Sequence, residues 1–145
     1  MPQPALPTLH AYLSFPGTCE AAMRHYERVL GAKLEALVRF RDAPPEMPPA
    51  PGQEDQVMHA RLVHPGFELM AGDVPAGMPF QGIQGVTMTL SYPTADEACS
   101  AFDRLSAGGQ VTVPMCPSFW AEVFGMCTDR YGVPWIVNGA LKPLG

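Results

Sequence analysis

The sequence predicts an α+β fold of two tandem βαβββ modules whose strands form a cupped mixed sheet, and three observations carry that expectation. A short motif recurs: Leu13-Ser14-Phe15-Pro16 and Leu90-Ser91-Tyr92-Pro93 stand 77 positions apart, and the same offset pairs Glu20-Ala21 with Glu97-Ala98 and Gly31 with Gly108. Each copy runs from a short apolar segment into an amphipathic helical pattern that stops at a glycine. After each helix come apolar or alternating segments, bounded by turn residues, that read as three strands. Two such units complete each other's concave face, the usual place for a ligand.

The first module, residues 8–73, opens with a strand over Leu9 to Phe15. Leu9, Ala11, Leu13 and Phe15 fall on one side and His10, Tyr12 and Ser14 on the other. Gly17 and Thr18 offer a helix N-cap. Ala22, Met23, Tyr26, Val29 and Leu30 form the apolar stripe of a helix over Cys19 to Leu30, ended by Gly31. Leu34 to Arg41 is the next strand. Asp42 to Gln56 carries Pro44, Pro45, Pro48, Pro49 and Pro51, a composition that predicts a flexible surface loop. Val57 to Val63 and Phe67 to Ala71 flank His64-Pro65-Gly66 as a hairpin.

Residues 72–85, rich in Gly and Pro, read as the linker between modules. The second module, residues 86–140, begins with a strand from Val86 to Tyr92. Thr94-Ala95-Asp96-Glu97 is a capping box, and Ala98, Phe102 and Leu105 continue the helical stripe. Strands follow at Val111 to Met115, Ala121 to Thr128 and Pro134 to Asn138.

Composition narrows the functional classes. The 145 residues suit one domain; 47% are hydrophobic and 16% charged, which excludes disorder. Net charge is −5 with the basic residues scattered, so neither nucleic acid nor an anionic membrane is an expected partner. The first residues form no signal peptide and no stretch is long enough to span a bilayer, so a cytoplasmic location is expected. Cys19, Cys99, Cys116 and Cys127 show no C-x-x-C spacing.

The run Phe119-Trp120-Ala121-Glu122-Val123-Phe124-Gly125, continued by Thr128-Asp129 and Gly132-Val133-Pro134-Trp135, resembles the PhnB-like branch of the vicinal-oxygen-chelate superfamily. Phe15-Pro16-Gly17, Ala21-Ala22, Tyr26, Leu30-Gly31-Ala32, His59-Ala60, Leu69-Met70 and Asp73 support the match. The resemblance implies a glyoxalase-like fold, shared with the bleomycin-resistance and extradiol-dioxygenase proteins. That branch often carries a 3-demethylubiquinone methyltransferase description. No glycine-rich strand-to-helix turn for an adenosyl cofactor is present here.

By resemblance to the metal-using members, His10 and Glu68 match the ligand positions of the first module for a divalent ion, the one cofactor the resemblance suggests. Thr87 and Ile136, at the matching positions of the second module, do not complete the set. His59 is a candidate further imidazole with an alternative structural reading. Tyr12, His59, Cys116, Trp120, Phe124 and Trp135 are the candidate ligand-binding residues, with Phe124 and Trp135 also fitting a core role. Cys116 and Ser118 lack a recognisable activating base, so no catalytic residue is assigned. His25 and His64 are expected at the surface.

Two functions remain open at this point. One is a non-catalytic protein that binds a small organic molecule in the cleft between the modules. The other is a divalent-metal-dependent isomerase, lyase or transferase using His10 and Glu68. Exposed strand edges in each half-sheet make a homodimer the expected assembly.

Overall fold

The computed structural model describes residues 6–143. The first module comprises β1 (Ala11–Phe15), α1 (Cys19–Leu30), β2 (Lys33–Arg39), β3 (Val57–His64) and β4 (Phe67–Asp73). The second comprises β5 (Met88–Tyr92), α2 (Ala95–Ser106), β6 (Gln110–Cys116), β7 (Ala121–Thr128) and β8 (Pro134–Leu141). The tandem βαβββ repeat is therefore present, its eight strands divided into two mixed four-stranded sheets ordered β1-β4-β3-β2 and β5-β8-β7-β6. In each sheet the first and last strands of the module run parallel and the other pairs antiparallel.

Several element ends differ from expectation for local reasons. β1 starts at Ala11; Leu9 is 96% exposed and does not join the apolar face. Phe40–Asp42 close into a 3-10 turn, which ends β2 at Arg39. Gly72 and Asp73 belong to β4 rather than to the linker. Asp42 to Gln56 is tied down at its far end, where Gln56 and Glu54 carbonyls accept the Phe40 and Arg41 N–H groups.

Helix α1 is capped from a distance. Thr18 makes no side-chain cap; instead the buried Asp73 carboxylate accepts from the backbone N–H groups of Gly17, Cys19 and Val57 at 2.8–3.0 Å. That one side chain satisfies the helix start and pins it to the end of β4. Gly31 ends the helix in the left-handed conformation, φ 65°. Helix α2 uses its own residues, with Thr94 Oγ1 accepting from the Glu97 N–H.

The modules join through their helical faces. α1 touches α2, and Tyr26 on α1 donates to the Asp129 carboxylate and packs edge-on against Trp135. Asp129, buried after β7, also accepts from the Trp135 indole and from the Tyr131 and Val133 N–H groups. This explains the Thr-Asp-x-x-Gly-Val-Pro-Trp run: the carboxylate folds its own turn and clamps the first module. His25 lies in the same seam, buried between Tyr26 and Tyr131, and not at the surface. Its position, three residues after Ala22 and four before Val29, places it on the apolar stripe. Among the described residues, no helix is long and apolar enough to cross a membrane.

Candidate functional site

Because Leu13 and Phe15 point to the helix side of the first sheet, His10, Tyr12 and Ser14 line its open side. Glu68, Met70 and Gly72 share that side through the parallel register of β1 with β4, in which Tyr12 faces Met70 and Ser14 faces Gly72. His10 Nε2 lies 2.9 Å from Glu68 Oε2. Arg61 on β3 holds the other oxygen of the same carboxylate, with Nε at 2.8 Å and a second guanidinium nitrogen on the same atom, and also reaches Glu35. Above this trio the Tyr12 ring stacks on His59, centroids 5.8 Å apart, and its hydroxyl donates to the Met58 carbonyl. Burial raises the Tyr12 phenol above its ordinary pKa, so it stays a neutral donor.

This arrangement does not fit a divalent ion. Both Glu68 oxygens already face protein cations or donors, and a guanidinium occupies the space next to the carboxylate where a metal needs only lone pairs. Among the described residues, no group of three or more His, Cys, Asp or Glu side chains gathers to hold an ion. Thr87 precedes β5 and Ile136 lies on β8, on the other sheet. Arg61 is the residue that sequence reasoning missed. The hairpin turn sets Val63 opposite Glu68, which places Arg61 on the side of the sheet that Glu68 shares.

The aromatic candidates form a second group on the open side of the second sheet. The Trp120 indole donates to Asn138 Oδ1 at 3.0 Å, and the Asn138 amide donates to Ser91 at 3.3 Å. Phe124 packs on Trp120 with centroids 4.5 Å apart, and Cys116 pairs with Phe124 across β6 and β7. Phe119 stands edge-on to Trp120 and is 77% exposed.

Trp135 belongs to neither group, being turned to the helix side and bonded to Asp129. The candidates expected in one cleft therefore fall on two separate sheets, because the helical faces occupy the contact between modules. A cleft of about 450 Å³ does lie between the modules, lined by Leu30, Phe67, Leu69, Leu90 and Trp135 with Glu68 at its edge. His64 sits on the same edge, stacked on Phe67, with Nδ1 accepting from the Gly66 N–H.

Comparison with known proteins agrees with this architecture. Residues 7–138 match the family model described as 3-demethylubiquinone-9 3-methyltransferase. The chain is 34% identical over 139 residues to protein YjdN of Escherichia coli, covering 90% of this chain and 93% of that protein. It is similar to the crystal structure of protein PA1353 from Pseudomonas aeruginosa, with 44% identity, TM-score 0.83, and coverage of 90% and 97%. A Bacillus cereus structure described as a putative 3-demethylubiquinone-9 3-methyltransferase, PhnB protein, shares the fold at 24% identity and TM-score 0.76, covering 91% and 98%. The chain belongs to this PhnB-like family of the vicinal-oxygen-chelate superfamily, the group of the glyoxalase, bleomycin-resistance and dioxygenase proteins.

Proposed function

We propose that this protein binds a small organic molecule without metal-dependent chemistry, and that it does so as a homodimer. The ligand lies between the Tyr12–His59 platform of one copy and the Trp120–Phe124 group of a second. One observation carries the reading: the modules meet through their helices, so each chain presents two half-sites on separate open faces, with Tyr12 51% and Phe119 77% exposed. A second copy turned end for end brings the complementary face to each, and by symmetry does so twice. The His10–Glu68–Arg61 trio then acts as a polar recognition point, its charges internally matched. Native mass spectrometry of the purified protein tests this. The expected species is a dimer carrying a retained organic molecule; a monomer at micromolar concentration contradicts the assembly, and a stoichiometric bound divalent ion contradicts the metal-free reading.

A further inference from the structure

The proline-rich segment and the inter-module linker, each of which looks like a connection in the sequence, together roof a cavity of about 740 Å³ over the far end of the first sheet's open face. Its floor is Tyr12, Ser14, Met58 and Gly72. Gly72 is required there: a Cβ would stand 2.7 Å from both the Met58 carbonyl and the Tyr12 hydroxyl, so its absence lets Tyr12 lie across the strands. The walls include Phe40, Met47, Met78 and Phe80. Met47 and Met78 are each 61% exposed, so these flexible apolar side chains stand around an open space instead of packing into a core.

A single buried side chain holds the roof together. Gln53, 8% exposed, lies in the proline-rich segment, and its amide donates to the Val74 carbonyl at 2.8 Å while accepting from the Ala76 N–H at 3.1 Å. The amide thus pairs with the linker as a backbone would, and joins the two loops. Arg39 reinforces the segment by donating to the Asp55 carbonyl and bridging to Glu20.

The lining also defines what fits. Asp73 is the one charged side chain among the lining residues, and its oxygens already accept from three backbone N–H groups. An anion entering this space would lose water and meet no counter-charge, and a cation would find the one carboxylate with its oxygens already engaged by backbone donors. We infer that this cavity is the apolar recognition pocket of the ligand site, built for an uncharged, largely apolar or aromatic molecule with a polar group near Tyr12 or Ser14. The inference rests on the reading that the ligand lies on the first sheet's open face, and its volume suits a small organic molecule.

Fluorescence titration of the full-length protein with Nile red, a neutral apolar dye, tests it. Saturable binding with a blue shift is expected. Ser14→Trp, which fills the floor, and Gln53→Ala, which releases the roof, should each weaken binding by about tenfold or more, and the anionic dye 1-anilinonaphthalene-8-sulfonate should bind about tenfold less tightly than Nile red. Thermal melting confirms folding, and Gln53→Ala stands alone if Ser14→Trp fails to fold. If Tyr12→Ala weakens the dye while neither cavity variant does, the pocket assignment falls and the ligand reading stands. Dye binding that ignores all three substitutions, or no binding, overturns the pocket assignment, and indifference to Tyr12→Ala counts against the ligand reading as well.

Discussion

In the first module the strand beside the helix start contributes a side chain to it, whereas in the second module the equivalent strand contributes none. Asp73 pairs with Phe15 in the register of the first sheet, and Gly139 pairs with Tyr92, the residue equivalent to Phe15, in the second. Asp73 reaches out to cap α1. Gly139 has no side chain because α2 lies directly on the strand: a Cβ there would stand 2.8 Å from Ala95 Cα and Ala98 Cβ. With the strand unable to cap, α2 supplies Thr94 and Glu97 itself. One topology thus accepts two solutions to the same four unsatisfied N–H groups. The repeat preserves strand order and register while leaving each module free in its contacts.

Replacing the two caps measures this difference directly. Asp73→Ala leaves two buried donors, the Cys19 and Val57 N–H groups, and the part-buried Gly17 N–H without a partner, and should destabilise the protein by roughly 3 kcal/mol or more in denaturant unfolding, since each buried unsatisfied group costs about 1–3 kcal/mol. Thr94→Ala removes a solvent-exposed local cap and should cost about 1 kcal/mol. Equal effects would mean that α1 does not depend on its distant cap. Between them falls the seam: Tyr26→Phe removes one donor from a carboxylate that keeps three others, with an expected loss of about 1–2 kcal/mol.

The seam between the modules is expected to respond to acid through His25, which lies between Tyr26 and Tyr131. The His25 Nε2 is buried with no hydrogen-bond partner among the described residues, and burial pushes its pKa below the ordinary value, the nearby Arg130 and Arg28 acting in the same direction and Asp129 against it. The folded protein therefore holds the neutral form, while the unfolded chain takes up a proton in the ordinary histidine range. The stability this contributes is complete above that range and declines as pH falls through it towards the depressed folded value. Thermal melting from neutral to mildly acidic pH should show a smaller acid loss for His25→Phe than for the unaltered chain. Parallel curves would show that His25 does not titrate with folding. This is the smallest of the expected effects.

What the sequence revealed about these regions follows the distance over which each interaction acts. The Thr94–Glu97 box, both helices, the glycine stops and the hairpin turn are local, and each was legible from neighbouring residues. Asp73 acts on Gly17 and Cys19 across more than fifty positions, and nothing near Thr18 signals that its own hydroxyl is unused. His25 reads as a surface residue by its polarity, although its spacing lies on the buried stripe. The site was partly legible. His10, Glu68, Tyr12 and His59 do share one region, but Arg61 between them needed the hairpin register, and Gln53 needed the fold of two loops. The separation of the aromatic group from that region follows from the Tyr26–Asp129 contact, which joins residues 103 positions apart.

In the proposed assembly the two half-sites work together only across two copies of the chain. Mixed-dimer complementation tests it: Tyr12→Ala and Trp120→Ala proteins are prepared separately, combined under conditions of subunit exchange, and titrated with Nile red. Each variant alone is expected to bind about tenfold or more weakly. In the mixture, the unaltered Tyr12 of one chain meets the unaltered Trp120 of the other, so tight binding should return at one site of each mixed dimer. A mixture that binds only as the average of its two components would place the whole site within a single chain and contradict the account.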